Sequence, residues 1–424
     1  MSSYQKTLSY LYDLHKFGMK FGLHNIQTLV QFLENPHKKY PTIHIAGTNG
    51  KGSTSSMLAS ILTAAGYKVG LYTSPHLLQF NERIRINGKP ISDKKIVHYT
   101  KLLQPIIQKI HATFFEATTA MAFQYFADEK IDIAVIETGL GGRLDSTNII
   151  TPKISIITSI AKDHKEQLGN TYKSIATEKG GIIKKNIPCV IGLMNKQSKQ
   201  TLIAIVKEKK SQIIDAEKET TLKSQKIISN GQKISITTSE QNYNLVVDIV
   251  GKYQQKNIRT VLCVVEELQK QGMKISFKDI EKGFANIKKY SGLRGRFEII
   301  QKNPTIIIDV GHNVEGIENA MEALSQMNYN KLHCIFGVME DKEYKEMVKK
   351  IISYKPIMYL VQPNNPRALS LEKLERVFIK FSYSVKKFLS VKEAILQAKS
   401  EIKKDDILLI IGSHFVASEA MECF

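Results

Sequence analysis

A glycine-rich segment near the start of the chain has the residues needed to bind phosphate. It consists of Gly47-Thr48-Asn49-Gly50-Lys51-Gly52-Ser53 and lies between a predicted strand and a predicted helix. Glycines let successive backbone N–H groups point at phosphates, the helix N-terminus adds positive potential, and the lysine can reach the outer phosphates. The spacing departs from a strict Walker A motif, because Gly52 separates the lysine from Ser53 and Ile45 takes the first glycine's position. The segment predicts nucleotide binding, with a structural glycine turn as the alternative.

Three more residues with metal-binding or reactive side chains follow apolar or helix-like segments. Glu137 comes directly after the apolar run 131–136, where a carboxylate could hold Mg²⁺ or merely cap the next turn. His164 follows the apolar run 154–160 and is either a ligand or a structural hydrogen-bonding residue. Lys179 lies in a helix-like segment before two glycines, and by itself it indicates a surface charge.

Short apolar runs that alternate with helical patterns must position these residues. Runs at 42–46 and 68–72 flank a helical pattern over 53–65, and this alternation is typical of a parallel α/β sheet. Chemistry is expected where parallel strands end, at the carboxyl edge of the sheet. Residues 211–250 are instead rich in hairpin-like strand patterns, and a helix is predicted over 252–271.

A second alternation follows the polar stretch 286–295. Its strand candidates are 297–300, 305–309, 332–337, 358–361 and 407–411. We therefore predict an α/β fold in two domains. Residues 1–290 are expected to form a P-loop parallel-sheet ATPase domain with a strand-rich insertion, and residues 291–424 a smaller Rossmann-like α/β domain.

Composition narrows the class of protein further. The chain has 424 residues, 42% of them hydrophobic, which suits two or three ordinary globular domains. No apolar stretch is long enough to span a membrane and no signal-peptide core follows the first residues, so we expect a cytoplasmic protein. The four cysteines lie far apart, which argues against a disulfide framework and a zinc site.

The net charge of +20 raises the question of a nucleic-acid partner. Most of this charge is lysine distributed in short runs along the whole chain rather than clustered in one segment. We therefore expect a solvated basic surface and no nucleic-acid partner, and such a surface could also steer an anionic substrate.

A set of motifs in a fixed order resembles a known family. The motifs are Gly47-Thr48-Asn49-Gly50-Lys51-Gly52-Ser53, Tyr72-Thr73-Ser74-Pro75-His76-Leu77, Asn81-Glu82-Arg83-Ile84, Thr113-Phe114-Phe115-Glu116, Glu137 with Gly141-Gly142-Arg143-Leu144-Asp145, Asp163-His164 and Glu178-Lys179. Together they resemble folylpolyglutamate synthases, including the bacterial bifunctional dihydrofolate synthase form, within the Mur ligase family of ATP-dependent amide-forming ligases. The resemblance runs from about residue 10 to the C-terminus.

The resemblance implies a reaction and a set of substrates. ATP phosphorylates a carboxylate to give an acyl phosphate, the amine of L-glutamate attacks it, and phosphate leaves. The carboxylate would belong to dihydropteroate, to a folate, or to both. Mg²⁺ is the implied metal, and the family is usually monomeric.

The resemblance also assigns roles to individual residues. The implied ATP-binding residues are Thr48, Asn49, Gly50, Lys51, Gly52, Ser53, Asn257, Arg296 and Asp309. Ser74 and Glu137 would bind one Mg²⁺ and His164 a second, while Lys179 matches a lysine that is carbamylated by CO₂. His312 could approach the phosphates, and the C-terminal domain would complete the ATP and glutamate site.

The pterin-bearing substrate would lie against three segments. The implied contacts are Lys20, Phe21, Gly22, Thr113, Phe114, Phe115, Glu116, Leu144, Asp145 and Ser146. Two positions depart from the family pattern. His24 follows Gly22-Leu23 where Glu is common, and Asp309-Val310-Gly311-His312-Asn313-Val314 replaces the usual Asp-Gly-Ala-His-Asn-Pro.

Two other functions stay open at this stage. A Mur ligase could instead add an amino acid to a nucleotide-linked muramyl peptide, although the segments 72–77 and 113–116 favour folate. A basic protein could also bind ATP only as a switch for partner binding. Such a switch would have no need for the combination of Ser74, Glu137, His164 and Lys179.

Overall fold

The computed structural model describes residues 2–18, 22–228 and 231–424, and these form two units. The first unit comprises Met1–Ser224, Lys233–Asp248 and Lys256–Leu293. The second comprises Arg294–Phe424 together with two short segments from the middle of the chain, Gln225–Gln232 and Ile249–Gln255. Both units combine mainly parallel sheets with helices, which confirms the predicted α/β class.

Seventeen strands and seventeen α-helices were assigned in the described residues. The strands are β1 Thr42–Ala46, β2 Val69–Tyr72, β3 Ile84–Ile86, β4 Lys89–Pro90, β5 Ile133–Glu137, β6 Ile154–Ile157, β7 Cys189–Ile191, β8 Ile213–Asp215, β9 Thr220–Ile228, β10 Gly231–Thr238, β11 Asn242–Val247, β12 Glu298–Lys302, β13 Thr305–Ile308, β14 Leu332–Phe336, β15 Ile357–Val361, β16 Val385–Phe388 and β17 Ile407–Ile411. The helices are α1 Ser3–Asp13, α2 His24–Phe32, α3 Lys51–Ala64, α4 Asp93–Ile110, α5 Phe114–Asp128, α6 Lys165–Leu168, α7 Tyr172–Gly180, α8 Lys196–Glu208, α9 Ala216–Glu219, α10 Gln254–Lys270, α11 Phe277–Ala285, α12 Ile287–Ser291, α13 Val314–Leu324, α14 Tyr344–Ile352, α15 Leu371–Ile379, α16 Val391–Glu401 and α17 His414–Met421.

The large sheet of the first unit has the strand order β4-β3-β2-β5-β1-β6-β7-β8. The neighbouring strands β2, β5, β1, β6, β7 and β8 are parallel to one another. Strands β3 and β4 extend the sheet beyond β2 and pair in antiparallel fashion. Every residue of β1 and β5 is buried, as expected for a parallel sheet that is covered on both faces. The register pairs Ile45 with Glu137 and Tyr72 with Ile136, so β1, β2 and β5 end at one edge.

Local side-chain chemistry explains two boundaries that differ from the sequence prediction. Helix α3 begins at Lys51 rather than at residue 53, because Gly50 adopts φ of +87° and takes the N-cap position. Strand β5 begins at Ile133 rather than at residue 131. The side chain of Asp132, just before the strand, accepts a hydrogen bond from the backbone N–H of Lys68. This contact fixes residue 132 in the loop, and the strand starts after it.

The strand-rich insertion was predicted over residues 211–250 and is a three-stranded sheet in the order β11-β10-β9. The sheet of the second unit has the order β12-β13-β17-β14-β15-β16, with β12 antiparallel to β13 and the others parallel. Its core contains Ile307, Cys334 and Leu409, and Val250 from the middle of the chain belongs to the same core. Across the described ranges, the helices are all too short or too polar to cross a membrane.

Candidate active site

The glycine-rich loop connects β1 to α3 and depends on glycine at two positions. Gly47 has φ of +154°, and a Cβ there would collide with the hydroxyl of Thr158. Gly50 has φ of +87°, and a Cβ there would collide with the amide oxygen of Asn257 on α10. A side chain at either position would be strained in backbone and in packing, so the loop keeps its shape only with glycine.

Hydrogen bonds to the segment after β6 hold this loop in place. The backbone N–H of Thr48 donates to Ser159 O at 2.8 Å, and that of Asn49 donates to Ser159 Oγ at 3.0 Å. Thr158 Oγ1 donates to Asn49 O at 2.7 Å. The N–H groups of Thr48 and Asn49 are thus engaged within the protein. Helix α3 begins with Lys51 and Gly52, whose N–H groups have no intrahelical acceptor and are suited to phosphate.

Two lysines approach the loop from different elements. Lys51 is the first residue of α3, and its Nζ donates to Gly47 O at 3.1 Å and Thr48 O at 3.4 Å. Lys179 lies at the end of α7, and its Nζ donates to the same Gly47 oxygen at 2.9 Å. The two amines therefore share one carbonyl acceptor.

The Lys179 side chain is buried, whereas its local sequence indicated a surface charge. Burial, and then the nearby charge of Lys51, lowers the pKa of Lys179 from about 10.5 to about 7, although Asp163 and Asp145 act in the opposite direction. An amine with a pKa near 7 is neutral in about half of the molecules at pH 7. A neutral amine, unlike an ammonium group, has a lone pair that can act as a nucleophile.

Two of the three predicted metal ligands lie where paired strands end. Glu137 is the buried last residue of β5, and Ser74 is two residues beyond the end of β2. Mg²⁺ typically binds one or two protein oxygens and keeps water or phosphate in its other positions, so a carboxylate and a hydroxyl fit this ion. His164 has φ of +50° and a side chain that is 42% exposed. No group of three or more His, Cys, Asp or Glu side chains within the described ranges could hold a metal ion.

The predicted pterin segment 113–116 begins helix α5. Thr113 and Glu116 form a capping box, in which Glu116 Oε2 accepts from Thr113 N at 2.7 Å. Asn25 Nδ2 also donates to Glu116, at 3.1 Å. Thr113 and Glu116 therefore fix the start of the helix, and Phe114 is buried against Tyr12 and His15. Contacts of Phe114 and Phe115 with a substrate stay a prediction.

The second predicted pterin segment, 144–146, is held by a buried carboxylate. Asp145 Oδ2 accepts from Leu140 N at 2.8 Å, and Oδ1 accepts from Thr147 N at 3.0 Å. Burial raises the pKa of Asp145, while these hydrogen bonds lower it. Its two oxygens thus shape the loop that carries Leu144 and Ser146. In the third segment, Lys20 and Phe21 lie outside the described residues, and Gly22 has φ of +148°.

In the second unit, Asp309 arranges the loop that follows β13. Its Oδ2 accepts from Phe297 N and its Oδ1 from Gly311 N, both at 2.7 Å. Burial raises the pKa of Asp309, and the neighbouring Arg296 acts in the opposite direction. His312 follows on this loop, with its Nδ1 3.0 Å from Val310 O. Asp309 is therefore bound on both oxygens by backbone N–H groups.

Arg83 and His76 had no predicted role, although they lie in the family motifs 81–84 and 72–77. Arg83 is buried in the first unit, and its Nε donates to His76 Nδ1 at 2.8 Å. Its guanidinium carbon is 5.1 Å from the centre of the Phe114 ring. The sequence shows only that this motif contains an arginine. It does not show that the arginine is buried, because burial depends on residues far away in sequence, such as Phe114.

A phosphate loop between a buried parallel strand and a helix, with polar residues at the same sheet edge, defines a nucleotide-binding α/β protein. Two family models cover most of the chain. The Mur ligase middle domain matches residues 45–265, and the Mur ligase glutamate ligase domain matches residues 295–414.

Known proteins are similar to the chain over nearly its full length. The Bacillus subtilis dihydrofolate synthase/folylpolyglutamate synthase is 33% identical, covering 99% of this chain and 98% of that protein. The folylpolyglutamate synthase of Lacticaseibacillus casei is also 33% identical, covering 98% and 97%. The structure of Mycobacterium tuberculosis folylpolyglutamate synthase complexed with ADP has a TM-score of 0.93 and 29% identity, covering 99% and 98%. The chain belongs to the Mur ligase family, in the group of the folylpolyglutamate and dihydrofolate synthases.

Proposed function

We propose that the protein is an ATP-dependent ligase that adds L-glutamate to dihydropteroate, to folates, or to both. One observation carries the proposal: the phosphate loop and the buried amine of Lys179 meet at Gly47 in a chain of this family. A switch protein that only binds ATP has no use for a second, buried lysine at its phosphate loop. The proposed substrates are ATP, L-glutamate and the pterin acid.

The proposed reaction has two steps. A substrate carboxylate oxygen attacks the terminal phosphorus of ATP, giving an acyl phosphate and ADP. The glutamate amine then attacks the acyl carbon, an amide bond forms, and phosphate leaves. Lys51 and the first turn of α3 hold the phosphates and neutralise the charge that moves between them, so catalysis is mainly positioning and electrostatics.

Ser74 and Glu137 are the proposed Mg²⁺ ligands, and His164 stays a prediction as a ligand of a second ion. Bound Mg²⁺ would neutralise phosphate oxygens during transfer. Glu137 suits this role because a buried carboxylate at the sheet edge can present a negative charge to a cation with little competition from water.

Lys179 is proposed to be carbamylated. Its neutral amine would add to CO₂, forming an N–C bond and releasing one proton, and the product is an anionic carbamate. The modification would replace a potential cation beside Lys51 with an anion, which removes a like-charge repulsion at the loop. Asn257, Arg296, Asp309 and His312 stay predictions as ATP contacts. A monomeric, cytoplasmic protein without nucleic-acid or membrane partners is also proposed.

A substrate panel tests the function. The protein is supplied with ATP, Mg²⁺ and L-glutamate, together with dihydropteroate, tetrahydrofolate or a nucleotide-linked muramyl peptide, and products are identified by mass. We expect glutamylated pterin products and phosphate release that requires glutamate and a pterin acid together. Both pterin acids should react, because Arg143-Leu144-Asp145 resembles the bifunctional bacterial form. A muramyl product, or phosphate release without either co-substrate, would contradict the proposal.

Glu137→Gln tests the proposed metal site. Loss of the buried charge is expected to lower kcat/KM by at least about a hundredfold, which corresponds to about 2.7 kcal/mol. The Mg²⁺ concentration that gives half of the maximal rate should rise. Glu266→Gln is the matched control, because Glu266 is also a buried glutamate but binds Thr238 and Tyr243. An unchanged Mg²⁺ requirement in folded Glu137→Gln would show that Glu137 is not a ligand.

A further inference from the structure

Arg83 is a buried cation without an ionic partner among the described residues. It ends a short 3₁₀ turn, Phe80–Arg83, directly before β3, and its side chain is almost fully enclosed, with 8% relative exposure for the residue. Its Nε donates to His76, a neutral acceptor. Among the described residues, Arg83 takes part in no ion pair, and the nearby pair of Glu82 is with Arg85. Arginine does not lose its proton in proteins. A buried guanidinium without a direct ion pair is costly, so the site favours a negatively charged ligand.

The adjacent carboxylate is already engaged elsewhere. Glu82 accepts hydrogen bonds from the backbone N–H groups of Leu77, Leu78 and Gln79 at 2.9–3.0 Å. It also lies 3.7 Å from Nη2 of Arg85. Glu82 therefore shapes the loop that carries His76 and leaves Arg83 without a carboxylate partner.

Aromatic side chains hold the guanidinium from one side. Arg83 lies over the ring of Phe114, and His15 stacks on Phe114 with centroids 4.4 Å apart. Tyr12 also stacks near Phe114, at 5.7 Å. The hydrogen bond of 2.8 Å from Arg83 Nε to His76 Nδ1 holds the guanidinium at its edge. This arrangement fixes the plane of the guanidinium and leaves its Nη groups as donors.

The Arg83 backbone lies next to the candidate metal ligands. Thr73 N donates to Arg83 O at 3.0 Å, and Thr73 immediately precedes Ser74. Tyr72 on β2 pairs with Ile84 on β3 and with Ile136 on β5, so Arg83, Thr73 and Glu137 lie at neighbouring positions on one edge of the sheet. An anion bound to Arg83 would thus be close to the proposed site of phosphoryl transfer.

We infer that Arg83 binds the carboxylate of the pterin acid that becomes phosphorylated. The inference rests on the proposed function. Two parallel N–H donors of a guanidinium match the two oxygens of a carboxylate and fix its orientation. In dihydropteroate this carboxylate is attached directly to an aromatic ring, which suits a site walled by Phe114 and Tyr12. Arg83 is therefore assigned as a substrate-binding residue that orients the attacking oxygen.

The test compares binding of dihydropteroate with binding of its carboxamide, which lacks the charge. Wild-type protein should bind the acid at least about tenfold more tightly than the carboxamide. Arg83→Gln should weaken binding of the acid by about a hundredfold and should bind both compounds equally. Arg83→Lys, which keeps the charge but not the fork of donors, should show an intermediate preference for the acid. Binding of ATP should be unchanged in both variants.

Arg85→Gln is the matched control, because Arg85 is equally buried in β3 but faces Glu82. It should keep the wild-type preference for the acid, and thermal melting should show whether each variant folds. If folded Arg83→Gln or Arg83→Lys keeps the full preference while the wild type ligates glutamate, the inference is wrong and the proposed function stands. If the wild type neither ligates glutamate nor binds dihydropteroate, the proposed function fails, and the inference fails with it.

Discussion

Lys51→Ala is expected to lower kcat/KM by about a thousandfold and to leave the melting temperature nearly unchanged. The large effect follows from electrostatics: Lys51 is the cation at the phosphate loop, and about 4 kcal/mol of lost charge compensation corresponds to about three orders of magnitude. The small effect on stability follows from position. Lys51 is half-buried at the first turn of α3, where its hydrogen bonds to Gly47 and Thr48 are partly open to water.

Steady-state kinetics and thermal melting check this result. Lys196→Ala is the matched control, because Lys196 is likewise the first residue of a helix, α8, and is exposed. It should retain wild-type activity. Wild-type turnover by folded Lys51→Ala would contradict the assignment of the phosphate loop.

Lys179→Ala is also expected to lose about a thousandfold in rate, and a small carboxylic acid such as acetate should restore part of it. The variant removes the proposed carbamate, and a diffusing carboxylate can replace its negative charge in the space that the side chain leaves. A merely structural lysine would give no such recovery. Its replacement would change stability through the lost hydrogen bond to Gly47, by about 1 kcal/mol.

Carbon NMR of protein supplied with ¹³C-labelled bicarbonate measures the modification directly. A carbamate signal should appear in the wild type and be absent from Lys179→Ala. Lys184→Ala is the control, because Lys184 is a partly buried lysine of the same unit that donates to Asn148 O at 2.9 Å. A wild type without the signal, together with unimpaired Lys179→Ala, would refute carbamylation.

The strands and helices that carry the motifs could be predicted, because each is indicated by residue types within its own short stretch of sequence. The loop from Gly47 to Ser53 needs glycine for its backbone, and the apolar run before it is long enough for a buried strand. Strand β16 was not predicted because its sequence, Val-Lys-Lys-Phe, has two exposed lysines at the edge of its sheet. Edge strands often carry such charges, which hide the apolar pattern.

Burial of charged groups could not be predicted from local sequence. Lys179 is buried because glycines remove the side chains that would keep neighbouring segments apart. A Cβ on Gly142 would lie 2.8 Å from the Lys179 carbonyl, and one on Gly181 would collide with Arg143. Arg83 is enclosed by His76 and Phe114, which come from separate segments. Such environments arise only when distant parts of the chain pack together.

The order of strands in the second unit has a consequence for the biosynthesis of the protein. Strand β17 is the last strand in chain order, yet it lies between β13 and β14 in the sheet. Val250 leaves the ribosome long before Leu409, although both belong to one core. The position between β13 and β14 therefore stays unfilled, and the apolar residues of this core stay partly uncovered, until β17 emerges. During that interval the second unit depends on protection from aggregation, whereas the large sheet of the first unit already has all eight strands.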